Sequence, residues 1–125
     1  MRHQTGFTLI ELIMVIVILG LLSAVAIPKF VDLSDDAEIA AIEGVAGGIS
    51  SAATINYAAK AMGKTAVVVD NCDDAGSILQ GGLPSGYTVN TDATGMTNEG
   101  DASTACVLTQ TASSRTASYT VIQVD

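Results

Sequence analysis

The sequence predicts an α+β protein: a helical N-terminal half packed on a small antiparallel sheet drawn from the C-terminal half. Three observations lead there. Residues Phe7 to Ile27 form an apolar stretch of 21 residues with one charge, Glu11. Ile42, Val45, Ile49, Ala53 and Tyr57 then recur at helical spacing up to Ala61. Beyond Met62 the pattern shifts to short β-rich runs separated by Gly- and Asp-containing loops. At 125 residues the chain suits one small domain plus an accessory helix.

Composition excludes several function classes. Five Lys+Arg stand against 13 Asp+Glu, a net charge of −8, so the chain lacks the basic footprint that phosphate neutralisation demands, and no nucleic-acid partner is expected. Aromatic residues are 4% and Trp is absent, which leaves few stacking platforms. Two cysteines and one histidine are too poor a set for a zinc site or for most His-based catalysis. No metal or cofactor is expected, and the chain reads as a non-enzyme.

As a helix, Phe7–Ile27 would rise about 32 Å, close to the thickness of a bilayer core. A short basic head with Arg2 and His3 precedes it, which predicts a single-pass inner-membrane segment with the C-terminal region outside. Two plain readings compete: a secretory signal cleaved after Ala24-Val25-Ala26, and a simple signal anchor. Both leave Glu11 unexplained, because a carboxylate in an apolar segment is costly and commonly marks pairing or function.

The run Gly6-Phe7-Thr8-Leu9-Ile10-Glu11 resembles the processing motif of type IV pilin precursors. The resemblance implies a leader of residues 1–6, removed by a membrane prepilin peptidase that cuts after Gly6 and N-methylates Phe7. It places Glu11 at the family's glutamate and fits Gly20 and Pro28 to family positions important for assembly. The short leader is similar to the type IVa branch, and residues 28–37 look most like the mannose-sensitive haemagglutinin pilins. The physics agrees. A helix N-terminus carries unpaired N–H groups and partial positive charge, and cleavage would add an ammonium on Phe7. Glu11 lies one turn beyond it, or could meet the ammonium of a neighbouring subunit, which would fix axial register more than it adds affinity.

Pro28 lacks an N–H and Gly20 is a weak helix former, so Gly20–Pro28 is the softest part of the helix. Ser34-Asp35-Asp36-Ala37-Glu38 reads as a helix start, with Asp35 and Glu38 at capping-box spacing. One long helix from Phe7 to about Ala61 and two helices joined near Lys29–Ser34 both fit; the resemblance favours the first. Ala40, Gly44, Gly48 and Ala52 repeat every four residues, as close backbone packing requires, and tight packing on the chain's own sheet is the expected use.

Residues 62–125 form the globular region. Thr65–Val69, Tyr87–Val89, Ala105–Gln110 and Ser118–Val124 read as strands, with a turn at Thr111–Arg115. Cys72 and Cys106, the only cysteines, are expected to pair outside the inner membrane; the resemblance implies a disulfide bracketing a variable, exposed region. Other motifs fail. Gly63-Lys64-Thr65 ends like a phosphate loop, but Ala58 stands at the required upstream glycine. Asp70–Gly76 lacks the glycine and the terminal glutamate of a calcium loop. These acids, with Asp92, Glu99 and Asp101, read as solvated loop residues.

The expected function is a structural subunit of a type IV pilus, a homo-oligomeric filament. It would be drawn from membrane lipid by the inner-membrane assembly platform, for adhesion, biofilm formation and motility. The alternative is the major pseudopilin of a type II secretion system.

Overall fold

A computed structural model describes residues 6–91 and 96–125. Residues 1–5 of the expected leader, with Arg2 and His3, and Asp92 of the acidic loop lie outside the described residues. The chain divides into two compact units, Met1–Ala37 and Glu38–Asp125.

Helix α1 runs without interruption from Leu9 to Ala61 with Pro28 inside it. The helix start expected at Ser34–Glu38 is therefore not realised. Those residues already have a preceding turn whose carbonyls take their N–H groups, so no cap is needed. Pro28 removes the bond it would have given the Ala24 carbonyl, and its ring crowds that carbonyl, yet the helix continues through it. Nearby, the Ser23 hydroxyl donates to the Leu19 carbonyl at 2.7 Å. Gly20 to Pro28 is helical throughout. In the first unit the large apolar side chains from Phe7 to Leu33 are exposed.

The second unit is built on the C-terminal part of α1. Ile42, Ala46, Ile49 and Ala53 are buried along one stripe, with Val45 and Tyr57 half-buried beside them. The stripe matches the sequence periodicity, and fully burying a side chain such as Ile42 or Ile49 contributes about 1.5–3 kcal/mol. The repeat of small residues does not share this face. Ala40, Gly44 and Gly48 are exposed and Ala52 is half-buried, so their expected packing against the chain's own sheet is overturned. The larger apolar residues bury more area and take the inward side.

Strands β1 (Tyr87–Val89), β2 (Ala102–Gln110) and β3 (Thr116–Ile122) form an antiparallel sheet in the order β1-β2-β3. Tyr87 lies opposite Gln110, and Cys106 opposite Tyr119; the β2–β3 register shifts between Ser103 and Cys106. The sheet contributes Cys106, Leu108, Tyr119 and Val121 to a core completed by Val69, Cys72, Ala75 and Met96. The strand expected at Thr65–Val69 shrinks to one bridge between Val69 and Val124. At Val67 a side chain takes the place of a strand partner: the Val67 N–H donates to Asn56 Oδ1 at 2.8 Å, and Asn56 Nδ2 donates to the Val67 carbonyl at 2.7 Å.

Candidate assembly and processing segment

The segment that carries the sequence motif begins in non-helical backbone. Gly6, Phe7 and Thr8 precede the first helical residue and are exposed. Phe7 is 91% exposed. A Cβ built on Gly6 meets nothing within 4 Å, so nothing in the chain's own packing requires glycine there. Gly6–Phe7 is thus a non-helical, accessible peptide bond placed just ahead of a helix.

Thr8 caps that helix. Its N–H and its hydroxyl both donate to Glu11 Oε2 at 2.8 Å, and the Glu11 N–H donates to Thr8 Oγ1 at 3.3 Å. This is a capping box: two orphan donors of the first turn are satisfied reciprocally. Sequence reasoning gave Glu11 an electrostatic role and passed over Thr8, although Thr-x-x-Glu ahead of an apolar run is the signature of such a cap. The carboxylate is accordingly held at the helix start, beside the positive end of the helix dipole. Gly20, further along the rod, also has open space where a Cβ would lie, and Pro28 stands inside the helix.

The other predicted pair is joined. Cys72, at the start of a short 3-10 helix (Cys72–Gly76), and Cys106 on β2 form a disulfide with Cα atoms 5.3 Å apart. Both are fully buried, so the bond lies in the core and pins the 3-10 turn to the middle of the sheet. Opposite Cys106, the Tyr119 hydroxyl donates to the Cys72 carbonyl at 2.6 Å. Burial, with the charge of Asp73 second, pushes this phenol up to about 12.

The loop acids serve the backbone. Asp74 Oδ2 accepts from the N–H groups of Asp70 and Asn71 at 2.9 Å each. Asp101 Oδ2 accepts from the N–H and hydroxyl of Thr97 and from the N–H and side-chain amide of Asn98. Those bonds, led by the Thr97 backbone, hold its carboxyl below the usual aspartate range. Among the described residues no three His, Cys, Asp or Glu side chains are grouped to hold a metal ion. Arg115, in the β2–β3 turn, pairs with Glu38 of α1 at 3.0 Å.

A family model described as the prokaryotic N-terminal methylation motif matches residues 1–27. Among curated proteins, the chain is 43% identical over 83 residues to the type IV narrow pilus major component PilA5 of Thermus thermophilus, covering 66% of each chain. It is 46% identical over 54 residues to the type IV major pilin PilE1 of Neisseria gonorrhoeae, covering 43% of this chain and 33% of the relative. It is 41% identical over 51 residues to type II secretion system core protein G of Pseudomonas aeruginosa, covering 41% of this chain and 36% of the relative. These matches therefore span between a third and just under two thirds of the relatives' own length. They do not single out the mannose-sensitive haemagglutinin branch. No solved structure matches the chain.

Proposed function

From its place in the type IV pilin family, to which this chain belongs, we propose that it is a structural subunit of a type IV pilus. In this reading the peptidase cuts between Gly6 and Phe7 and methylates Phe7. The accessible, non-helical bond ahead of α1 supports that step, and so does a glycine that the fold itself does not need. The processed subunit leaves the inner membrane through the assembly platform, and its exposed apolar rod is buried among the rods of other copies. The gain is the hydrophobic area removed from lipid and water together with close helix packing.

Glu11 acts at this step. In the single chain its carboxylate is held by Thr8 at the helix start. In the filament it pairs with the Phe7 ammonium of a neighbouring copy, which fixes how far one subunit is displaced along the next. An unpaired charge there would cost about 3–5 kcal/mol, so copies in any other register are disfavoured. Gly20 and Pro28 supply the softer stretch that lets the rod adjust as it leaves the bilayer. The acidic globular unit forms the outer surface, with adhesion, biofilm formation and retraction-driven motility as the roles it serves.

The single observation that carries this reading is an apolar, uncovered stretch of helix up to Ile27 whose only carboxylate sits one turn from an exposed Gly–Phe bond. A type II secretion pseudopilin would share that segment. The pilus is favoured because the match to the narrow-pilus component spans 83 residues, more than α1 alone provides. The test is electron microscopy of material sheared from cells expressing the chain at natural level. Filaments containing it support the pilus. Their absence, with the chain confined to the cell envelope, supports the pseudopilin. In the same cells Glu11→Ala is expected to leave processing intact and abolish filaments; normal filament yield from that variant removes the role given to Glu11.

A further inference from the structure

Helix α1 stops two residues short of the Gly6–Phe7 bond, and something must stop it. Once a helix exists, each further residue joins with little resistance. Growth backwards over the bond would send the Ile10 N–H to the Gly6 carbonyl and the Glu11 N–H to the Phe7 carbonyl. Among the described residues neither bond is formed. The Leu12 N–H donates to the Thr8 carbonyl at 3.3 Å as the first bond of the ladder, and Gly6, Phe7 and Thr8 stay outside the helix. Thr8 makes the difference. Its Oγ1 accepts the Glu11 N–H at 3.3 Å, the donor that a longer helix would give to Phe7. Its own N–H goes to Glu11 Oε2 at 2.8 Å, where a longer helix would send it to the carbonyl of residue 4. Both bonds of an upstream turn are thus diverted into the capping box. Gly6, a weak helix former, adds to the effect.

We propose that Thr8 is a positioning residue for removal of the leader: its cap keeps α1 from growing over the Gly6–Phe7 bond, which therefore reaches the peptidase already unwound. The inference rests on the processing step proposed above and names what prepares its substrate. The reaction is hydrolysis. Water adds across the bond, Gly6 leaves as a carboxylate and Phe7 remains as an ammonium. The chain's own contribution is access. In a helix the Gly6 carbonyl would point along the axis onto the Ile10 N–H and be covered by the turn above it. In non-helical backbone the same carbonyl is open to attack, and the flanking amides can pair with an enzyme's cleft as an added strand does.

Thr8 and Glu11 then divide the work. The bond from Thr8 Oγ1 uses the backbone N–H of residue 11, not its carboxylate. Removing the Glu11 side chain leaves that half of the cap in place, so Glu11→Ala keeps the helix stop while losing the charge needed in the filament. Removing the Thr8 hydroxyl does the reverse. It frees the Glu11 N–H for the Phe7 carbonyl and leaves the carboxylate present. The hydroxyl serves cleavage and the carboxylate serves assembly.

The test uses the full-length precursor in detergent with purified prepilin peptidase, following loss of the leader by mass. Thr8→Val, which keeps the shape without the hydroxyl, and Thr8→Ala are expected to show KM raised roughly three- to tenfold with kcat unchanged. Only the unwound fraction of such chains can bind, so apparent affinity falls by that fraction. Thr8→Ser and Thr8→Asn, which cap helices with side chains of different shape, are expected to be cut like the unsubstituted chain. A peptidase that reads threonine directly would reject Thr8→Asn along with Thr8→Val, and that result would overturn the proposal. Equal cleavage of all these chains would overturn it too, as would a fall in kcat with KM unchanged. The melting midpoint of the globular unit is expected to be the same in every variant, which separates a cleavage defect from misfolding. Normal cleavage of Thr8→Val beside normal cleavage of the unsubstituted chain removes only the role given to Thr8. An unsubstituted chain that is not cut after Gly6 removes the processing reading, and this role with it.

Discussion

Tyr119 shows how much of the globular unit hangs on single side chains. Its ring is buried against the disulfide, and its hydroxyl gives the Cys72 carbonyl a partner at 2.6 Å. Burial keeps the phenol protonated up to about pH 12, against about 10 in an unfolded chain. The folded state therefore holds a proton that the unfolded state has lost between those values. Stability is unaffected below about pH 10 and declines as pH rises toward 12. Tyr119→Phe is expected to cost about 1 kcal/mol at neutral pH and to remove that alkaline decline, both readable by thermal melts across pH. Ser114 is the opposite case. It holds φ 56° in the β2–β3 turn, a left-handed conformation that glycine adopts without penalty. Ser114→Gly is expected to raise stability by up to about 1 kcal/mol, less the added flexibility of the unfolded chain; a loss of that size in chemical denaturation would contradict the assignment.

At the scale of elements, the sequence was most legible where one period ran long. The stripe Ile42-Val45-Ile49-Ala53-Tyr57 gave both the helix and its buried face, and the alternation near Ala105–Gln110 and Ser118–Val124 gave two strands to within a few residues. It was least legible where side chains replace backbone. Thr65–Val69 has strand composition, yet Asn56 takes the bonds of Val67, and no local pattern announces a partner on a distant helix. The helix start read at Ser34–Glu38 failed because capping residues are recognised by type, while only the preceding turn decides whether a cap is needed. In the processing segment, the motif marked Gly6, Phe7 and Glu11, but Thr8 needed its hydrogen bonds to be seen. The Thr97–Asp101 turn is likewise organised by one carboxylate, which accepts four hydrogen bonds from two residues. Because its folded value is lowered, its contribution is present above the ordinary aspartate range near pH 4 and is lost as pH falls through the lowered value. Asp101→Asn is expected to flatten that acid limb of the melting curve; an unchanged limb would show that the turn does not depend on the charge.

The whole molecule joins two solutions to two environments. From Leu9 to Ala37 the helix is a rod with its apolar side chains outward, which is unstable as a free surface in water and suited to lipid or to other rods. Residues from Glu38 form a small core of few large side chains, closed by the Cys72–Cys106 bond across a separation of 34 residues. On the chain-entropy account that bond contributes about 3–4 kcal/mol, a large share of the stability available to so small a domain. Replacing both cysteines by serine is expected to lower the midpoint of thermal unfolding of the globular unit by about 10–20 °C, measured by circular dichroism on full-length protein in detergent. A midpoint that stays put would mean that the sheet and α1 suffice alone.

The account turns on the chain end created next to Glu11. Intact mass and N-terminal sequencing of the protein recovered from sheared filaments address it directly. The predicted product begins at Phe7 and carries one added methyl group. A filament protein that keeps its first six residues, or one that begins at Ile27, would contradict the account.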